Sequence, residues 1–208
     1  MIAPSVAHLS FLRDDGQPLP CIPGQFIQIH FQNADGSAAK RSYSIAIGRA
    51  PDAAPDAQLD IAVSYVQGGA ATALFEALDI GATLDASGPF GRFCLYPNDA
   101  NQRYLLIGTG TGITPYRAML PQLAQQMAQR GVQVVLLQGA RTPAELLYGD
   151  EFRAFANAHP NFRDIPCLSR ELPTADSIHA HADVRHGYVQ NVLAALSPNP
   201  ASDIAYRC

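Results

Sequence analysis

The sequence contains no tryptophan and a single lysine, Lys40, and charged residues make up only 15% of its 208 positions, for a formal net charge of -4. A chain this short of positive charge is not built to neutralise a phosphate backbone, which excludes nucleic acid as the expected partner. The other cations are all arginines, whose planar fork suits phosphate and carboxylate groups. Cysteine is scarce as well. Cys21, Cys94, Cys167 and Cys208 stand far apart with no C-x-x-C pair, so neither zinc nor an iron-sulfur cluster is expected, and the thiols are expected to be free. No window approaches the roughly 18 to 20 uninterrupted apolar residues of a membrane span. Met1 to Ser10 also lacks the basic start of a secretion signal, and a cytoplasmic protein is expected.

What is present divides into two halves of different rhythm. The 48% apolar content suffices for two small cores. Up to about residue 98, short strands alternate with breakers at Pro23-Gly24, Asp35-Gly36, Pro51 to Pro55, Gly68-Gly69 and Gly88-Pro89. In Phe26 to Phe31, Ile27, Ile29 and Phe31 share one face and Gln28 and His30 the other, the period of a half-buried antiparallel strand. Leu59, Ile61, Val63 and Tyr65 repeat it. This half reads as a small all-β barrel or sandwich with one short helix over 72–78.

From Tyr104 onward, apolar strands at 104–107, 132–137, 165–168 and 204–206 alternate with helical stretches at 115–130, 148–158 and 187–196. That order predicts a parallel sheet covered on both faces, a doubly wound α/β domain over 99–208 behind a β domain over 1–98. Pro121 falls inside the 115–130 helix, where proline costs about 3 kcal/mol, so a bend or restart is expected there.

Three stretches carry possible chemistry. The first strand of the α/β half runs into Gly108-Thr-Gly110-Thr111-Gly112-Ile-Thr114-Pro115, with Thr114 placed to cap a helix that begins at Pro115. Glycines before a helix N-terminus let backbone N–H groups approach a pyrophosphate. Ile113 replaces the third glycine of the usual dinucleotide fingerprint, and the second strand ends in Gly139-Ala-Arg141, not in an acid for a ribose hydroxyl. A tight glycine turn with no ligand would look the same. Gly68-Gly69 before Thr72 forms a second, weaker phosphate cradle, for which an ordinary capped helix is the alternative. Lys40 to Ala46 places Arg41, Tyr43 and Ile45 on one strand face and Ser42 and Ser44 on the other, as a phosphate and a ring would require, although a plain surface strand shares the pattern.

Taken in order, these pieces resemble the ferredoxin-NADP reductase family. Arg41-Ser-Tyr43-Ser44 is similar to the family's R-x-Y-S flavin motif. It follows Pro23-Gly24-Gln25 and precedes Gly68-Gly69-x-x-Thr72, Gly88-Pro89-Phe-Gly91, the 108–115 loop, Gly139-Ala-Arg141, Ser169-Arg170-Glu171 and Tyr188-Val-Gln190. The resemblance implies an antiparallel Greek-key β-barrel holding FAD, followed by a Rossmann-like NADP(H) domain. It implies that Arg41 binds the FAD pyrophosphate, Tyr43 packs on the flavin ring and Ser44 hydrogen-bonds at flavin N5. Ser42, Val63, Ser64, Gly68, Gly69 and Thr72 complete the implied FAD set, and Thr111 lies near both cofactors. For NADPH it implies Gly110, Gly112, Pro115, Gly139, Arg141, Ser169, Arg170 and Tyr188, the last stacking on adenine. Tyr43, Ser44 and Cys208 are the implied catalytic set, with Cys208 beside the nicotinamide. His186 stands where plant-type members carry a lysine, which weakens the expected grip on a 2'-phosphate or makes it pH-dependent.

The same resemblance implies electron transfer from NADPH through FAD to ferredoxin or flavodoxin, with no metal, and it implies further chain at both ends. Arg41, Arg49 and Arg92 are candidates for a docking surface near the flavin edge. Two other readings stand beside it: a reductase component serving an oxygenase or a haem protein, and a non-catalytic nucleotide-binding subunit of the same fold.

Overall fold

A computed structural model of the chain describes residues 1–49, 54–97, 99–172, 174 and 183–208. The N-terminal half holds β1 (Val6–Leu12), β2 (Phe26–Gln32), β3 (Ala38–Ser44), β4 (Gln58–Ser64), α1 (Ala70–Glu76) and β5 (Ala86–Phe90). β1 pairs antiparallel with β4, and β2 lies between β3 and β5 in a second antiparallel sheet. An isolated bridge from Ile45 to Ile61 joins the two sheets. The expected alternation holds: Ile27 and Ile29 are each 2% exposed and pack with Ile45, Leu59, Ile61, Val63 and Phe75. Each such side chain contributes about 1.5–3 kcal/mol when fully buried.

Two local expectations fail in this half. Gly88-Pro89 lies inside β5 instead of ending it, because β5 is an edge strand whose register with β2 shifts there, and a missing N–H costs nothing on an edge. Thr72 does not cap a helix over 72–78. Gly68, at φ +73, turns the chain early enough for α1 to begin at Ala70, with Gly69 at the N-cap. The Thr72 hydroxyl instead accepts the Val66 amide at 2.8 Å.

The C-terminal half runs β6 (Arg103–Thr109), a 3-10 turn (Gly110–Ile113), α2 (Thr114–Arg130), β7 (Gln133–Ala140), a second 3-10 turn (Pro143–Glu145), α3 (Gly149–Ala158), β8 (Phe162–Leu168), β9 (Arg185–His186), α4 (Val189–Ala195) and β10 (Asp203–Arg207). All five strands are parallel, in the order β10-β6-β7-β8-β9. Successive strand residues feed opposite faces. Tyr104, Leu106, Val134 and Leu136 pack against Tyr116, Met119 and Leu123 of α2 and Phe152 of α3. Leu105, Ile107, Val135 and Leu137 pack against Val189, Val192 and Leu193 of α4. The chain therefore has the two-part architecture read from its periods, an antiparallel half followed by a doubly wound α/β half. Among the described residues no helix is long and apolar enough to cross a membrane.

Here too the caps differ from expectation. The 3-10 turn feeds directly into α2, so Ile113 occupies the N-cap, Pro115 sits in the first turn, and Thr114 is the first helical residue with its hydroxyl buried and lacking a hydrogen-bond partner among the described residues. Pro121 neither ends nor restarts α2, which continues to Arg130. Proline leaves the Arg117 carbonyl without its helical donor. The 45–48 segment of the other half packs there: a Cβ on Gly48 would stand 3.1 Å from Pro121 Cδ and 3.2 Å from the Arg117 carbonyl.

Candidate functional site

The carboxyl ends of β6, β7 and β8, the start of α4, and the edge of the antiparallel half enclose a cavity of about 340 Å³. Parallel α/β sheets bind ligands at the carboxyl ends of their strands, where the strand order reverses. The reversal here is at β6, with β7 on one side and β10 on the other. Gly110, Thr111, Gly139, Arg141, Ser169 and Tyr188 of the expected NADPH set line this cavity. From the expected FAD set, Ser64 lines it too, so residues implied for two cofactors share one wall.

The lining fits a dinucleotide. Gly110 has φ +51 and nothing within 4 Å of the position a Cβ would take, so the loop leaves open space where a side chain would stand. Tyr188, at the N-cap of α4, is 61% exposed, which leaves it accessible to a base. The Ser169 hydroxyl donates to the Ala140 carbonyl at 3.3 Å and retains acceptor capacity toward the cavity wall it forms.

Arg141 is more committed than the sequence indicated. Its Nε and backbone N–H donate to Glu145 Oε2 at 2.9 and 3.0 Å, and its Nη2 pairs with Glu145 Oε1. The Arg141 guanidinium holds the Glu145 carboxyl below the usual carboxylate range. Sequence reasoning passed over Glu145; the spacing of four was visible, but it falls in a turn, not on a helix where that spacing signals a pair. Also missed were Ala3, Ser5 and Val6, which line the cavity from the antiparallel half, and Cys167, whose thiol burial pushes up to about 12.

Other expected residues stand outside the lining. Arg170 continues the strand pairing by donating its amide to the Arg141 carbonyl at 3.0 Å. Pro115 is buried in α2. Cys208 follows β10, donates its amide to the Ile107 carbonyl at 2.9 Å, and packs its own carbonyl where a Cβ on Gly112 would come within 2.7 Å. Burial raises the Cys208 thiol. Cys208 therefore adjoins the glycine loop at the strand-order reversal, with Gly112 small enough to admit it.

The flavin candidates form a separate row on β3. Lys40, Arg41 and Ser42 are exposed, and Tyr43 and Ser44 are half-buried. The Arg41 guanidinium reaches only the Lys40 carbonyl, at 2.9 Å, and has no carboxylate partner among the described residues, which leaves it available to an anion. Tyr43 packs edge-on against Phe75, with ring centroids 5.5 Å apart, and burial raises its hydroxyl. Thr72 holds the 66–72 turn, Gly68 and Gly69 shape it, and Val63 is buried so that only its backbone can meet a ligand. The donor set of cation, aromatic face and hydroxyl fits a flavin nucleotide. Arg49 does not belong to a free cationic surface, since it pairs with Asp56 and donates to the Gln58 carbonyl at 2.7 Å. Among the described residues no group of three or more His, Cys, Asp or Glu is placed to hold a metal ion.

Comparison with known proteins agrees with this geometry. Residues 1–95 match the oxidoreductase FAD-binding domain and residues 106–207 the oxidoreductase NAD-binding domain. The chain is 34% identical over 203 residues to ferredoxin--NADP reductase B of Sorangium cellulosum, covering 98% of this chain and 80% of that protein. It is 29% identical over 215 residues to the reductase component DmpP of phenol 2-monooxygenase from Pseudomonas sp., covering 98% of this chain and 57% of that protein. Among solved structures, the Amycolatopsis cytochrome P450 reductase GcoB superposes with a TM-score of 0.80 at 29% identity, over 100% of this chain and 58% of that one. A ferredoxin NADP+ reductase from Neisseria gonorrhoeae with bound FAD and NADP shares the fold, with a TM-score of 0.72 at 22% identity over 99% of this chain and 79% of that one. The chain thus spans most of some relatives and little more than half of others.

Proposed function

This chain belongs to the ferredoxin-NADP reductase-like family of FAD- and NAD-binding oxidoreductases, and from that premise we propose that it passes electrons from NADPH through bound FAD to a one-electron acceptor protein. The observation that carries the proposal is the shared cavity wall, where Ser64 of the flavin half meets Gly110, Thr111, Arg141, Ser169 and Tyr188 of the nucleotide half. A nucleotide held there would lie against residues of the flavin half.

When bound, FAD supplies a carrier able to take electrons in pairs and release them singly. The protein's own residues then do the binding and orienting. Arg41 holds the pyrophosphate by a charge-assisted contact, Tyr43 covers the ring, and Ser44 offers its hydroxyl to the ring nitrogen. Gly110, Thr111 and Gly112 present backbone N–H groups at the start of α2 to the nucleotide's phosphates. Tyr188 stacks on adenine, and Ser169 with Arg170 receives the 2'-phosphate. The Glu145 carboxylate beside Arg141 opposes that phosphate, so the preference for NADPH over NADH is moderate. The flavin domain comprises residues 1–98 and the nucleotide domain 99–208 in this reading, and the protein works in the cytoplasm.

Ferredoxin, by likeness to the Sorangium reductase, or flavodoxin in its place is the first acceptor proposed. A reductase component serving an oxygenase or a haem protein is the second, favoured by the superposition on the P450 reductase. The test is optical. Protein expressed with ample riboflavin should show the flavin bands, lose them on adding NADPH, and regain them with an acceptor. A colourless protein that refuses added FAD overturns the proposal, and a coloured one that neither NADPH nor NADH bleaches is a non-catalytic nucleotide-binding subunit.

A further inference from the structure

We infer that Arg117 is a positioning residue that sets the angle between the flavin half and the nucleotide half, and through it the alignment of the two bound cofactors. The inference rests on the proposed function and deepens it. Arg117 projects from the start of α2, the helix that begins directly after the glycine loop. Its Nη1 donates to the Ala46 carbonyl at 2.6 Å, two residues beyond Ser44 on the flavin strand. Its Nε donates to Glu151 Oε2 of α3 at 2.7 Å, and its guanidinium carbon lies 4.8 Å from the centre of the Tyr148 ring.

These contacts belong to a closed ring that crosses between the halves twice. The Tyr148 hydroxyl lies 3.0 Å from His8 Nδ1, and the two rings meet edge-on with centroids 5.8 Å apart. His8 Nε2 lies 3.4 Å from the carboxylate of Asp60, which is 5% exposed. The Asp60 carbonyl accepts the Ala46 amide at 2.7 Å, which returns the ring to its start. Ala46 is fully buried and follows Ile45, itself bridged to Ile61, so the segment holding Ser44 cannot yield independently. Beside the ring, helix and segment pack closely at Gly48, where a Cβ would stand a tight 3.2 Å from the Arg117 carbonyl.

Interfaces between domains of one chain are mobile by default, and a reaction that needs two cofactors aligned loses about 100-fold in rate for a 1 Å misplacement. A guanidinium suits the task because its rigid fork serves a carbonyl, a carboxylate and an aromatic face from one plane. Nothing in that arrangement requires Arg117 to touch either cofactor, so its removal should leave binding intact and disturb alignment.

The experiment compares Arg117→Met and Arg117→Lys with the unaltered full chain. In the FAD-loaded protein, Arg117→Met should slow the limiting rate of flavin reduction by about 30-fold, while FAD content and NADP+ affinity stay within about two-fold. Arg117→Lys, which keeps the charge but loses the fixed planar fork, should recover part of the loss. Independently of turnover, hydrogen exchange at the Ala46 amide, bonded to the Asp60 carbonyl, and at the Phe152 amide, bonded to the Tyr148 carbonyl, should accelerate about ten-fold in Arg117→Met, with or without FAD. If Arg117→Met does not fold, Arg117→Lys decides, through intermediate values of both readouts. Flavin reduction and amide exchange both within about two-fold of the unaltered protein would overturn the inference, as would a loss of FAD or NADP+ affinity parallel to the loss of rate. An unaltered chain that binds no FAD instead sinks the proposed function, and the exchange measurement still decides whether Arg117 couples the halves.

Discussion

Gly139→Ala tests whether close packing of three elements shapes the nucleotide cavity. Gly139 lies on β7, in register with Thr109 of β6 and Cys167 of β8. A Cβ there would stand 2.6 Å from Thr109 Cγ2 and 2.9 Å from Val189 Cγ1 of α4. Reaching the 3.4 Å of ordinary contact requires these atoms to retreat by about 0.8 and 0.5 Å respectively. Val189 follows Tyr188 directly, so the retreat is passed to the ring expected to stack on adenine. Overpacking of this kind costs about 1–3 kcal/mol, and every 1.4 kcal/mol that falls on the bound state is about ten-fold in affinity. Titration with NADP+ should therefore show a dissociation constant raised about ten-fold, with FAD content unchanged and Tm lowered by about 2–4 °C per kcal/mol lost. Gly131→Ala, at the C-cap of α2 away from the cavity, is the control: with nothing within 4 Å it meets no neighbour, and only the roughly 1–2 kcal/mol of a left-handed φ applies to stability. A Gly139→Ala protein that binds NADP+ within about two-fold of the unaltered chain refutes the reasoning.

Ser44→Ala should retain FAD yet slow flavin reduction in single-turnover mixing by about ten-fold or more, if its hydroxyl acts in the transition state; an unchanged rate removes Ser44 from the mechanism. Arg170→Ala should weaken NADPH far more than NADH, whereas Glu145→Gln, by freeing Arg141, should strengthen NADPH relative to NADH; equal effects on both nucleotides in steady-state kinetics would dismiss the assigned 2'-phosphate contacts. Burial pushes the Tyr104 and Tyr148 hydroxyls up to about 12 and raises Tyr116 further. The folded state favours their neutral forms, so this stability is complete below about pH 10, where an unfolded tyrosine titrates, and is lost as pH rises toward 12. Urea midpoints that stay level across that interval would contradict it.

Much of the fold was legible because its signals are local. The alternation of Ile27 and Ile29 with Gln28 and His30, and the run of Tyr104 to Ile107 into the 108–112 glycines, depend on side-chain period and backbone φ, which neighbouring residues decide. The helix starts were less legible. Thr72 and Thr114 looked like caps because capping residues were present at suitable positions, but the turn at Gly68 and the 3-10 turn before α2 started each helix earlier. Pro121 looked disruptive by propensity alone, yet α2 runs through it to Arg130, with the 45–48 segment packed beside the Arg117 carbonyl that proline leaves without its helical donor.

The site divides the same way. The residue pattern pointed to Arg41, Tyr43, Gly110 and Arg141 as chemical candidates, and the family resemblance implied Ser44, Ser169 and Tyr188, because each sits in a short motif legible along the chain. Only the tertiary structure decided that Ser64 faces the nucleotide cavity, that Glu145 occupies Arg141, and that Ala46, Arg117, Tyr148, His8 and Asp60 close one ring. Residues 8 and 148 meet because the segment ahead of α3 packs on β1 and β4, with Leu147 buried beside Val6 and Ala62, and contacts of that kind are set by distance in space, to which spacing along the chain gives no access.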